Sequence, residues 1–394
     1  MWPFNRKKKL DPYLKSLSKL TTRTKLPVLI SYKGDTKTVK NKIKYTGAGI
    51  THEYVLTQTL AASIPLSSIE KISSMPEVRS LYYDHKASLC IHRATKSLSI
   101  DLSKGFNLTG RDVTIGIVDS GIFPHKGLTL KPNTIKYFKD IINGDSKPYD
   151  DNGHGTYLSG IIASNFDYAL GIAPDCSLSV AKAFDKTGYG SLSNILKAVE
   201  DIYASTPEVK IFLLPFEIKD MPDLRANPLR ETIELLHSKN IVFIAPSGNS
   251  GPNPYSIHEP ASYKEVITVG GCTIKDDNFR ITDYSSRGPL KVDYLKPDVL
   301  SLSEGIISLR SDIFYTPGGK LIDKETIGTT SLSGTSVSSA IIAGVCALLI
   351  EKYGDLTPKD IRSILYLGSK SIGENRNTQG RGIVMFSNLI KDKK

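Results

Sequence analysis

Cysteine is scarce in this chain. Its 394 residues include four, Cys90, Cys176, Cys272 and Cys346, widely spaced, with no C-x-x-C pair and no histidine cluster beside any of them. That pattern speaks against a disulfide scaffold and a zinc site, and leaves reduced, buried thiols as the expectation. Long apolar runs are missing as well. None reaches the roughly 18 residues that span a bilayer, and the longest, residues 339–350, reads as a buried helix. The first residues, MWPFNRKKKLDPYLKSLSKL, lack the apolar core of a secretory signal, because Asp11, Lys15 and Lys19 interrupt the stretch after the basic run. A cytoplasmic protein with no transmembrane segment is expected. Repeats and low-complexity segments are also absent. With 40% hydrophobic and 23% charged residues the composition is globular, and the length suits one large domain plus a smaller one.

A net charge of +11 raises the question of nucleic acid, and the distribution of that charge answers it. Residues 1–92 carry 16 Lys and Arg against 6 Asp and Glu, whereas the remaining 302 carry 35 against 34. The basicity therefore belongs to an N-terminal region, as a solvated face or an attraction to an acidic partner. No nucleic-acid partner is expected. Trp2 and Phe4 beside Arg6–Lys9 are too small a cluster to define a membrane surface.

Residues 25–84 follow a β-α-β-β-α-β pattern. Strands are expected at 27–32, 53–58, 59–64 and 78–83, with helices at 35–44 and 66–75, the order of a ferredoxin-like unit. Residues 1–24 form a basic lead, and the polar residues 85–110 read as a linker. From residue 111 onward the pattern changes. Apolar, β-branched runs at 113–118, 178–183, 211–214, 241–245 and 266–269 suit strands buried on both faces of a sheet. Helical stretches at 193–203 and 229–239 lie between them, so residues 111–394 are expected to form a doubly wound α/β domain with a mostly parallel sheet.

Three segments carry chemistry. Asp119 ends the first buried strand, at the edge where ligands sit in open α/β sheets. Taken alone it suits a phosphoryl acceptor, a metal ligand, a partner for histidine or a cap. His154 lies between Gly153 and Gly155 at the start of a helical run. Ser336 enters the most apolar helix of the chain, beside the unpaired N–H groups and positive end of its dipole; an ordinary N-cap is the plain alternative. Taken together, the three supply a hydroxyl, a base to deprotonate it and a carboxylate to orient the base.

The motifs Asp119-Ser120-Gly121, His154-Gly155-Thr156 and Gly334-Thr335-Ser336 resemble those of the subtilisin-like serine proteases (subtilases), especially their intracellular bacterial branch, over about residues 112–394. The resemblance implies a serine endopeptidase acting on protein or peptide substrates through an acyl-enzyme, with Asp119, His154 and Ser336 catalytic and Asn249 as oxyanion donor. It implies substrate-binding strands at Gly188-Tyr189-Gly190, Pro215-Phe216-Glu217 and Pro246-Ser247-Gly248. Segments 284–289 and 296–298 resemble structural signatures of the family. Residues 25–84 would be a prosegment, an intramolecular inhibitor removed on maturation, with residues 85–100 threading past the active site; a permanent accessory domain is the alternative. No cofactor is required by this reading, no metal site is assigned, and the short loop 165–170 makes a calcium site doubtful.

The chain also departs from the family pattern. Tyr157-Leu158-Ser159 and Val337-Ser338-Ser339-Ala340 change the packing beside His154 and Ser336. Pro215 lacks a backbone donor, so strand pairing with substrate is expected to be altered there. Glu217 replaces a glycine and adds bulk and negative charge, implying a narrowed or blocked pocket, or a preference for a basic or small residue. A pseudoprotease that binds without cutting is the alternative these changes raise.

Overall fold

The β-branched runs build the centre of the molecule. In the computed structural model, which describes residues 9–17, 24–90, 92–93, 107–132, 134–219, 227–290, 294–317, 319 and 328–389, they form most of a ten-stranded sheet. From one edge the order is Ile135–Asp140, Ser177–Lys182, Thr114–Asp119, Val209–Leu213, Val242–Pro246, Val266–Lys275, Val299–Leu302, Ile383–Val384 and Ser369–Lys370, with Asn278–Ile281 paired to Val266–Lys275. All pairings are parallel except those of Asn278–Ile281 and Ser369–Lys370. The chain leaves Thr114–Asp119 towards one edge, returns beside it and then crosses to its other side. That strand is therefore the switch point, where α/β sheets open a crevice at their carboxyl ends.

Alternation within Thr114–Asp119 divides two cores. Ile115 and Ile117 face one core with helices His154–Ala163 and Thr335–Tyr353, while Val118 faces the other with Leu192–Ser205 and Pro228–His237. Every residue from Thr335 to Leu349 is buried, which accounts for a helix apolar enough to cross a membrane lying inside the protein. Its N-cap is Gly334, so Ser336 stands inside the first turn and is not the cap.

Residues 24–84 form a second body. Strands Lys25–Tyr32, Gly49–Tyr54, Thr59–Pro65 and Val78–Tyr83 make an antiparallel sheet in which the first strand lies between the third and fourth, with helices Thr36–Lys44 and Ile69–Ser73. The second strand begins and ends earlier than the apolar run 53–58 suggests. Val55 is exposed, and residues 55–58 form a turn. One sheet face encloses a core that includes Val28, Ile30, Val39 and Leu81; the other adds Leu29, Tyr54, Ala61 and Tyr82 to the core around Leu192–Ser205.

Two expectations for flanking segments change. Leu14, from the basic lead, enters the small core, and the buried Asp11 carboxylate accepts hydrogen bonds from the Tyr13 and Tyr83 amides and pairs with His85. In the expected linker, Lys86–Leu89 and His92–Arg93 are strands, while residues 91 and 94–106 lie outside the described residues.

The buried Lys296 ammonium pairs with Asp298 at 2.6 Å, and the same carboxylate oxygen accepts from the Thr268 amide. Burial depresses the ammonium to about 8 despite the neighbouring Asp298 charge. Removing one partner leaves an uncompensated buried charge. Asp298→Asn is expected to cost about 3–5 kcal/mol in urea unfolding, and less when Lys296→Met is added.

Candidate active site

The edge of the sheet gathers three chain segments. Asp119 is the last residue of the central strand, His154 the first of helix His154–Ala163 and Ser336 the second of helix Thr335–Tyr353. His154 Nδ1 lies 2.9 Å from both Asp119 carboxylate oxygens, and Nε2 lies 3.0 Å from Ser336 Oγ. A carboxylate only accepts, so Nδ1 carries the proton and Nε2 presents a lone pair to the hydroxyl. All three side chains are buried. The set can move a proton from a serine hydroxyl to an imidazole whose positive charge a carboxylate then balances.

Glycine makes these approaches available. A Cβ on Gly155 would lie 2.1 Å from the Gly121 carbonyl oxygen, and one on Gly121, at φ +132°, would lie 2.2 Å from that of Tyr149. The spacing between the aspartate and histidine loops therefore excludes any larger residue at either point.

A buried carboxylate that the sequence reading passed over joins those loops. Asp150 accepts from Ser120 Oγ at 2.9 Å, the Gly153 amide at 2.8 Å, and the Thr156 amide and hydroxyl at 2.8 and 2.6 Å. Lys182, also buried, reaches the Ser120 carbonyl and Asp151. Neither belongs to a short motif; the nearest sequence signal was an aspartate pair just before Asn152-Gly153-His154. Tyr157 extends the same framework, its hydroxyl meeting the carbonyls of Ile306 and Leu332. Ser338 and Ser339 satisfy their hydroxyls on the carbonyls of Ser301 and Ser336.

Asn249 stands close to the serine turn. Its Oδ1 accepts from the Thr335 amide and hydroxyl at 3.0 and 2.8 Å, which fixes the carboxamide, while Nδ2 is buried without a hydrogen-bond partner. Leaving a buried donor unpaired costs about 1–3 kcal/mol.

Two of the three expected substrate strands flank a strand of the chain itself. Lys86–Leu89 lies between Tyr189–Ser191 and Phe216–Glu217, antiparallel to both, with Gly190 opposite Ala87, and with Tyr189 and Glu217 both opposite Ser88. The Leu89 amide donates to the Gly188 carbonyl and the Cys90 amide to that of Pro215. Pro215 thus contributes its acceptor, and its missing donor leaves the pairing intact, contrary to the sequence expectation. Cys90 is buried, and its carbonyl oxygen is 2.7 Å from Ser336 Oγ. Beyond it, His92–Arg93 pairs with Leu332 and Ser333. Burial first, and then the charge of Glu217, holds the Cys90 thiol well above its ordinary range. Pro246 ends a buried strand, Ser247 donates its amide to the Val269 carbonyl, and Gly248, at φ +106°, faces the Glu217 carboxylate.

Among the described residues, no group of three or more His, Cys, Asp or Glu side chains is arranged to hold a metal ion. The loop 165–170 is a two-stranded hairpin.

A profile of the subtilase family matches residues 110–382. Serine protease AprX of Bacillus subtilis is 32% identical over 339 residues, covering 81% of this chain and 76% of its own. Subtilisin DY of Bacillus licheniformis is 28% identical over 280 residues, covering 70% and 89%. Subtilisin-like protease SBT6.1 of Arabidopsis thaliana is 30% identical over 297 residues; the match spans 71% of this chain but only 26% of that protein. The crystal structure of fervidolysin from Fervidobacterium pennivorans, a keratinolytic enzyme related to subtilisin, superposes with a TM-score of 0.75 at 17% identity, over 93% of this chain and 61% of that one. The chain belongs to the subtilase family and is a subtilisin-like serine endopeptidase.

Proposed function

We propose that this endopeptidase is made as a zymogen whose residues 25–84 act as the prosegment and whose bond Cys90–Ile91 is its own first substrate. The observation that carries the reading is the Cys90 carbonyl, 2.7 Å from Ser336 Oγ, on a strand paired on both sides with cleft backbone. Ser336 Oγ attacks that carbonyl carbon as His154 Nε2 takes the hydroxyl proton. Asp119 holds the imidazolium, and Asn249 Nδ2 with the Ser336 amide receives the oxyanion. Collapse breaks the C–N bond, His154 returns the proton to the leaving amine, and water then releases the acyl-enzyme by the same route.

The resting geometry supports latency. Ser336 has one hydroxyl proton, and both Nε2 at 3.0 Å and the Cys90 carbonyl at 2.7 Å lie within reach of it. A proton given to the carbonyl is not given to the base. The carbonyl must turn from the hydroxyl towards Asn249 Nδ2 before attack, which makes the first turnover slow. Tyr54 to the Ser193 carbonyl at 2.9 Å, Leu56 to Glu200 at 2.8 Å and Ser193 to Asp84 at 2.8 Å support docking that persists after the cut.

Purified wild-type chain is expected to yield, by intact-mass spectrometry, a product beginning at Ile91, while Ser336→Ala stays full length; a wild type that remains uncut, or cuts elsewhere first, counts against the assignment. In the matured enzyme a fluorophosphonate probe should label wild type and not Ser336→Ala. Asp119→Asn should lower kcat by about 10⁴, and Asn249→Ala by about 10²–10³, read on a fluorogenic peptide.

A further inference from the structure

We infer that the Glu217 carboxylate makes the acyl-side subsite selective for lysine or arginine immediately before the bond that is cut. The inference deepens the zymogen reading and rests on Ser336 being the nucleophile. The residue whose carbonyl meets Ser336 Oγ is Cys90, so the Cys90 side chain occupies the position of the residue before the bond.

Side chains alternate along a strand, and Glu217 lies opposite Ser88 in the antiparallel pair. Ser88, Cys90 and Glu217 therefore share one face of the three-stranded sheet, with Leu89 and Phe216 on the other. The Glu217 side chain is 8% exposed. Its Oε2 would lie 2.6 Å from a Cβ on Gly248, so the carboxylate reaches across to the loop that carries Asn249. That oxygen is buried and has no hydrogen-bond partner. The charge also acts on the Cys90 thiol, which it helps hold in its neutral form.

A buried carboxylate oxygen without a donor is costly, and a donor supplied by substrate recovers that cost. The chain provides half of the complement itself: Lys219 stands 3.1 Å from Oε1, at the surface. An ammonium is thus accommodated on one oxygen, and the other, buried beside Gly248, is left without a donor. The cysteine of the chain's own strand brings no charge to it. Backbone pairing holds the prosegment strand, while the side-chain interaction that would distinguish a substrate is left unmade.

The test uses matured enzyme, quantified by fluorophosphonate titration, and peptides that differ only in the residue before the bond: Lys, Arg, Ala, Leu or Cys. The Lys-to-Ala ratio of kcat/KM should be about tenfold or more in wild type and fall towards unity in Glu217→Gln. A second arm works in the full-length chain, where Cys90→Lys should mature about tenfold faster than Cys90→Ala, an advantage lost when Glu217→Gln is added. Preference for Ala or Cys, with a ratio that Glu217→Gln leaves unchanged, would make the carboxylate a filler of the pocket and overturn the inference. So would equal maturation of the two Cys90 variants. Hydrolysis that depends on Ser336 in either case leaves the protease reading intact; loss of all hydrolysis and labelling in wild type removes both.

Discussion

The Ser336 hydroxyl has a single proton, and the imidazole of His154 and the carbonyl of Cys90 both stand within hydrogen-bonding distance of it. That competition depends on three segments far apart in sequence meeting within a few tenths of an ångström. The sheet makes the meeting possible. Its switch point delivers Asp119 at the carboxyl edge, and helices packed on one face bring His154 and Ser336 to the same rim. Asp150 then fixes the two loops against each other through five donors. A buried carboxylate so fully bonded stiffens its surroundings, whereas the unpaired Asn249 Nδ2 nearby marks where bonding is withheld. In this region complete satisfaction gives rigidity, and one donor is left unmet beside the serine turn.

The small N-terminal body meets the larger one through a similar division of labour. Its own core is formed by one sheet face, and the second face, through Leu29, Tyr54, Ala61 and Tyr82, completes the core over helix Leu192–Ser205. A body of this size buries too little apolar surface to be generously stable alone. The same contacts therefore complete two hydrophobic cores. Polar anchors at Ser193 and Glu200 fix the register of that docking, and the register decides which residue of the following strand arrives at Ser336.

Much of this was legible in the sequence, for physical reasons. A strand buried on both faces has to be apolar throughout, so runs such as 113–118 and 178–183 announced the sheet. Glycines at 121 and 155 were visible because close backbone approach tolerates nothing else. The strand Lys86–Leu89 was hidden, because its four residues are mixed in polarity and its partners lie about a hundred residues away or more. Leu56 misled because an apolar residue in a turn can serve an interface as readily as a strand, its side chain packing on the core over Leu192–Ser205, while Val55 is simply exposed. Asp150 was silent for a different reason: its role comes from the donors that converge on it, and no local pattern encodes convergence. The altered pairing expected at Pro215 failed on a detail of polarity, since the cleft asks that residue for a carbonyl and not for an N–H.

Strand addition in the cleft has a consequence for selectivity. The bonds made by the carbonyls of Gly188 and Pro215 go to backbone amides, and any extended chain other than one with proline there can supply them. Backbone pairing gives affinity without distinguishing the chain's own strand from a substrate. Discrimination must then come from side chains, and on the face shared with Ser88 and Cys90 the buried carboxylate with an unpaired oxygen is that of Glu217. A strand that is covalently attached needs little side-chain affinity, because its local concentration is set by the chain that carries it. A substrate arriving from solution has no such advantage. On the proposed zymogen reading, leaving the carboxylate unmet by Cys90 costs the tethered strand little, and the proposed selectivity draws on an interaction that this strand does not make.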